Sequence, residues 1–137
     1  AAAERHFQAA LERNAAHGGA LANLAQFYER QGDSARARPL QQRRDRVSRR
    51  DPFHQFITGA QAESASDLRT AVQRYRRAIR LHPGEHRFHS ALARALLQQG
   101  DTRGAIRALT VARDLAQRDG MTPYQAKLDL LTKRLRD

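Results

Sequence analysis

His82, Glu85, His86 and His89 lie close together, with His86 and His89 three apart at a helix start, so a metal site is the first chemistry to test. Imidazole and carboxylate are ordinary zinc ligands, but structural sites repeat fixed spacings, usually with cysteine. The chain has no cysteine, His82 precedes Pro83 at a turn, and the spacing matches no standard site. These histidines read as surface residues, and no metal or other cofactor is expected. Ser34, Ser48, Ser64, Ser66 and Ser90 sit in no nucleophile motif, there is no paired acidic dyad, and Gly18-Gly19 reads as a break between helices. Neither phosphate-cradling glycine loop, G-x-x-x-x-G-K-[ST] or G-x-G-x-x-G, occurs. No enzyme is expected.

Arginine supplies the other candidate chemistry. From Arg36 to Arg50 there are seven arginines and one aspartate, a density that suits phosphate or an acidic partner. No aromatic residue interleaves with them to stack bases, which disfavours nucleic acid. The whole chain carries a formal charge of +11, from 25 basic and 14 acidic side chains. Only Lys127 and Lys133 are lysines, a bias that a GC-rich bacterial genome would impose without any function. A solvated face is therefore the preferred reading of 36–50, with protein contact next and nucleic acid last.

At 137 residues, 40% hydrophobic and 6% aromatic, the chain fits one domain built on alanine and leucine. No apolar run approaches the roughly 20 residues of a membrane span. Lack of cysteine excludes disulfides and leaves the compartment open between bacterial cytoplasm and periplasm. The opening Ala1-Ala2-Ala3-Glu4-Arg5 has neither an initiator methionine nor an apolar signal core, and reads as a piece of a longer protein.

A repeat emerges by counting. A small residue followed by aspartate occurs at Gly32-Asp33, Ser66-Asp67 and Gly100-Asp101, each 34 residues apart. The same step joins Ala3, Ala37, Ala71 and Ala105; Leu24, Thr58 and Leu92; Ala25, Gly59 and Ala93; and Phe7, Gln41, Tyr75 and Leu109. A period of this length marks stacked repeats, each unable to bury its own apolar stripe.

With these columns in view, the chain is similar to the tetratricopeptide repeat (TPR) family. Leu21-Ala22-Asn23-Leu24-Ala25 with Tyr28 matches the first helix of a repeat, helix A. Gly32-Asp33 and Gly100-Asp101 match the turn, and Ala71, Tyr75, Ala78 and Pro83 match helix B and its end. The resemblance covers residues 1 to about 118. It implies an all-α, right-handed TPR superhelix (an α-solenoid) of antiparallel helix pairs with a C-terminal capping helix. It also implies a scaffold for protein–protein interaction that holds a peptide or protein partner in its concave groove.

The expected organisation is one TPR domain over 1–137. Residues 1–18 form a partial repeat with helix B only, 19–51, 52–84 and 85–119 are repeats one to three, and 120–137 is the cap. The spacing predicts helices at about 2–15, 19–31, 34–50, 52–65, 67–81, 85–98, 102–118 and 122–136. The aspartate after each turn should cap the helix that follows. Asp51-Pro52 and Thr122-Pro123 each read as a cap followed by proline at the first helical position. Leu128, Leu131 and Leu135 should form the cap's apolar stripe, with Lys127, Lys133, Arg134 and Arg136 facing water.

Two departures from the family pattern stand out. Helix B of repeat one holds Gln41 in the aromatic column and Arg44 in the alanine column, so it should pack loosely and run nearly a turn longer than its siblings. Helix A of repeat two has Gln55 and Thr58 in apolar columns and Phe53 and Phe56 in groove columns. Either that helix is rotated, or two rings line the groove.

Carried over column by column, the resemblance places Gln26 and Arg30 of repeat one in the groove. Repeat two adds Phe53 and Phe56 beside Glu63, and repeat three adds Arg87, Ser90 and Arg94. Rings flanked by arginines suit an extended or helical peptide with apolar anchors and acidic groups, because arginine grips a carboxylate with two parallel hydrogen bonds. The opposing reading has Phe53 and Phe56 only packing the repeat interface. The carboxylate clamp of chaperone-binding relatives is not met, since Ala22 and Gln26 stand in its first site. Two rival roles remain: a homodimer formed through Phe7 and Leu11 of the N-terminal helix, and nucleic-acid binding by 36–50.

Overall fold

The computed structural model describes all 137 residues, and every regular element in it is helical. The helices are α1 Ala2–Arg13, α2 Gly18–Arg30, α3 Ser34–Arg49, α4 Pro52–Ser64, α5 Leu68–Leu81, α6 His86–Gln98, α7 Thr102–Arg118 and α8 Gln125–Arg136. None is long and apolar enough to cross a membrane.

The period of 34 is written in the helix ends. Asp33, Asp67 and Asp101 accept hydrogen bonds from the amides of Arg36, Thr70 and Gly104, capping α3, α5 and α7. His17, Asp51 and Glu85 likewise cap α2, α4 and α6. Each satisfies an amide that the helix start would otherwise leave unpaired. At the other end of helix A, the chain turns through a left-handed residue at Gly32, Ser66 and Gly100, with φ of 75°, 61° and 86°. The amide of the next aspartate then reaches back to Tyr28, Ala62 or Leu96 at 2.8–2.9 Å. That geometry closes one helix and caps the next with the same residue.

The fourth turn shows why α8 starts late. Gly120 is again left-handed, though it follows a helix B, and Met121 after it has no carboxylate to offer; Asp119, 34 residues after the cap Glu85, instead closes α7. Thr122 and Pro123 lie in the turn, and α8 begins at Gln125 after Tyr124, which makes no side-chain cap. The expected Thr122-Pro123 opening is therefore incorrect. Leu128 and Leu131 are buried as expected, but Leu135 is 47% exposed and drops out of the stripe.

The chain divides into two compact units, Ala1–Arg50 and Asp51–Asp137. In the first, Leu24, Tyr28 and Ala37 are buried, and Phe7, Leu11, Phe27 and Leu40 pack around them. Phe7 and Leu11, the residues expected to pair two copies, thus turn inward against α2. Tyr28 donates its hydroxyl to Glu4 at 2.6 Å, tying α1 to α2. In α3 only Ala37 is buried, in keeping with loose packing. Its 16 residues exceed the 14 of α5 but not the 17 of α7, so it is not the longest helix B. It also contains Pro39, whose ring leaves the Ala35 carbonyl without its helical donor.

The second unit stacks α4 to α8 in order around Ala71, Tyr75, Ala91, Leu92, Ala105, Leu109 and Leu128. Ala71, Ala78, Ala105 and Ala112 are fully buried, so the small-residue columns are the places where helix backbones approach. Gly59 is the tightest case: a Cβ there would lie 2.7 Å from Tyr75 Cε1. Helix α4 is not rotated. Gln55 fills its apolar column with no exposed surface, and Arg74 donates to its side-chain oxygen at 3.2 Å.

Candidate functional site

The candidate groove residues divide between the two units. Gln26 and Arg30 are one turn apart on the exposed side of α2 in the first unit. Phe53, Phe56, Arg87, Ser90 and Arg94 belong to the second unit, on α4 and α6.

The two phenylalanines have different environments. Phe56 is half-buried, 5.3 Å from Phe88 and 5.9 Å from Tyr75 between ring centroids, and so packs the contact between repeats. Phe53 meets Phe88 edge-on at 5.3 Å yet stays 42% exposed. The Arg87 guanidinium stands 5.7 Å from the Phe53 ring centre, within cation–π range. Fully buried Phe88 fixes the Phe53 ring from behind.

Arg87 and Arg94 were expected to grip a partner's carboxylate, but each is engaged by a carboxylate of the chain itself. Arg87 gives Nε and Nη2 to Glu85 at 2.8 and 3.2 Å. Arg94 gives the same two nitrogens to Glu63 at 2.6 and 2.9 Å. Glu63 also accepts from the Tyr75 hydroxyl at 2.7 Å and from Gln98 at 2.9 Å. The Arg94 hydrogen bonds, then those from Tyr75 and Gln98, hold the Glu63 carboxyl down at about 2. Burial, reinforced by Glu63, pushes the Tyr75 hydroxyl up to about 12. Arg94 remains a surface cation, but its fork is committed to tying α4, α5 and α6 together.

The same tie recurs one repeat earlier with different chemistry. Gln41 donates to Glu29, and these residues stand 34 positions before Tyr75 and Glu63. The polar Gln41 in an aromatic column is thereby explained: an amide performs the hydroxyl's task.

Arg87, Ser90, Arg94 and Leu97 follow one another at three- and four-residue steps along one face of α6. Beside this stripe, Ser90, Arg94 and Leu97 line a pocket of about 170 Å³ completed by Tyr124, Lys127 and Leu131 of α8. Ser90 returns its hydroxyl to the Arg87 carbonyl at 3.1 Å. Tyr124 is held by a 2.6 Å hydrogen bond between its hydroxyl and His86 Nδ1. Lys127 is exposed and enters no ion pair, so it is the cation on this face open to an outside acid. Sequence reasoning had assigned it only to water. The signal for its role is its place where a fourth helix A should run.

The histidines have structural partners. His89 is buried with Nε2 2.9 Å from the Pro83 carbonyl, His86 binds Tyr124, and the His82 ring meets Phe88 edge-on. On α3, Arg36 stacks on Tyr28 and pairs with Asp33, while Arg43 donates to the Ala15 carbonyl at 2.6 Å. Part of the arginine run therefore fastens unit one together.

Comparison with known proteins agrees with this architecture. Models described as tetratricopeptide repeat match residues 1–52 and 62–128. No curated protein matches. Among solved structures, "Crystal structure of MamA" superposes with a TM-score of 0.53 at 17% identity, covering 82% of this chain and 66% of that one. "Crystal structure of MamA protein" gives the same score and identity with 61% of its length covered. "MamA MSR-1 C2" gives 0.54 at 18%, covering 85% of this chain and 67% of that one. The chain thus spans about two thirds of these solved chains, and at such identity the likeness is one of fold. Matched in both units, and with its caps and turns recurring every 34 residues, the chain belongs to the tetratricopeptide repeat family, whose helical repeats typically serve protein interaction and not catalysis.

Proposed function

We propose that the second unit holds a short acidic peptide segment along the α6 stripe, as an interaction module of a larger bacterial protein. The observation carrying this is the exposed line from the Phe53–Arg87 pair to the pocket beside Lys127. From Arg87 to Leu97 the helix rises roughly 15 Å, which matches about four or five residues of extended chain. An apolar side chain rests on the Phe53 ring, and a carboxylate elsewhere on the same segment meets Lys127. Arg87 and Arg94, already neutralised by Glu85 and Glu63, contribute shape and remaining donors more than net charge. Gln26 and Arg30 offer a second, polar contact region on unit one. The partner's acidity fits the net charge of +11.

Fluorescence anisotropy with a labelled pool of acidic pentapeptides, each carrying one aliphatic or aromatic residue, tests this. Phe53→Ala and Lys127→Glu should each weaken capture by about tenfold, as expected for an anchor and a facing charge. Helicity by circular dichroism should not change. Unaltered capture by both variants contradicts the reading.

A further inference from the structure

A second concavity lies away from the α6 stripe, between α5 and α7, with α6 as its floor. Leu92 and Leu96 form the base, Val111 stands at the edge, and the walls carry Arg76 and Arg80 on one side and Arg107 on the other, around about 400 Å³. Leu92 and Leu96 are buried, whereas Val111 is 42% exposed, so aliphatic surface reaches the mouth of the groove. All three arginines are exposed, and none takes part in an ion pair. The one carboxylate on the lining, Asp101, is held as a helix cap by the Gly104 amide at 2.8 Å. This contrasts with Arg87 and Arg94, each neutralised by a glutamate of the chain.

We infer that this groove is a second docking site, for an extended segment of a protein partner in which acidic side chains alternate with aliphatic ones. In extended chain, successive side chains point to opposite sides. Those pointing down meet Leu92, Leu96 and Val111, and those pointing up lie level with guanidinium groups on both walls. Charge selects this occupant over others. A fatty acid brings a single carboxylate and satisfies one wall only. A nucleic acid finds only the buried His89 ring among the lining residues, and no exposed aromatic on which to stack a base. A second copy of this chain, itself carrying a formal charge of +11, would bring like net charge to the arginine walls.

The test uses a fluorescein-labelled octapeptide of alternating glutamate and leucine with both termini blocked, at low and at physiological ionic strength. Saturable binding is expected, weakened about tenfold or more in the Arg80→Glu/Arg107→Glu variant. It should be unaffected in Phe53→Ala/Lys127→Glu, which disables only the α6 stripe. Val111→Ala, an exposed position that leaves the fold intact, should weaken binding without changing its salt dependence. Equal binding of an all-glutamate octapeptide overturns the inference, because charge alone would then suffice. Displacement of the peptide by excess laurate overturns it in favour of an acyl-chain site. Loss of binding in Phe53→Ala/Lys127→Glu alone assigns the peptide to the α6 stripe and overturns this second site while sparing the first.

Discussion

Glu63 accepts from Arg94, Tyr75 and Gln98, so three helices depend on the charge of one carboxylate. Its folded pKa of about 2 lies below the ordinary 4.5, so the unfolded chain binds the proton more tightly. The stabilisation is therefore complete above about 4.5 and is lost as pH falls through that value towards about 2. Thermal melting of the wild-type chain and Glu63→Gln across this range checks the sign: the variant should melt lower at neutral pH and converge on wild type in acid. Ser66 makes a different point. At φ 61° it occupies the turn position that glycine holds at residues 32 and 100. Ser66→Gly should stabilise the chain by roughly 1 kcal/mol, measured by denaturant unfolding. The capping role of Asp33, Asp67 and Asp101 was legible in the sequence because a cap is local. The Glu63–Arg94 fork was not, since the partners are 31 residues apart on different helices and only the packed structure brings them together.

Among elements, α4 and α3 carry opposite lessons. Phe53 and Phe56 left open either a rotated α4 or a groove lined by two rings; helix orientation followed the small residue, for Gly59 against Tyr75 sets how closely α4 and α5 approach, and Gln55 is drawn inside with it. Gly59→Ala should cost roughly 1–3 kcal/mol, read as a lower melting temperature, because the added methyl must displace a buried ring. In α3, Pro39 interrupts the hydrogen-bond ladder of a helix that buries only Ala37. Pro39→Ala should restore the bond to Ala35 and stabilise the first unit by up to about 3 kcal/mol, with slower amide exchange along α3. The loose packing of α3 could be read from its arginines, as could its cap at Asp33. The start of α8 could not, because Thr122-Pro123 carries a valid local signal that the turn at Gly120-Met121 overrides.

For the whole molecule, the uniform count of 34 between small-residue columns was enough to reach the all-helical repeat architecture. That periodicity is a property of the backbone spacing and survives the loss of individual aromatic or alanine positions, as Gln41 and Arg44 show. It does not report that the chain divides after Arg50, nor which surface cations are already neutralised. The α6 stripe and the α5–α7 groove differ in that second respect, and only coordinates distinguish them. The most direct measurement is amide and methyl NMR of the labelled chain titrated with the acidic pentapeptide pool. Peptide docking on the α6 stripe predicts saturable shifts at Phe53, Arg87, Ser90, Arg94, Leu97 and Lys127. Shifts absent there, or confined to the arginines of α3, would contradict it.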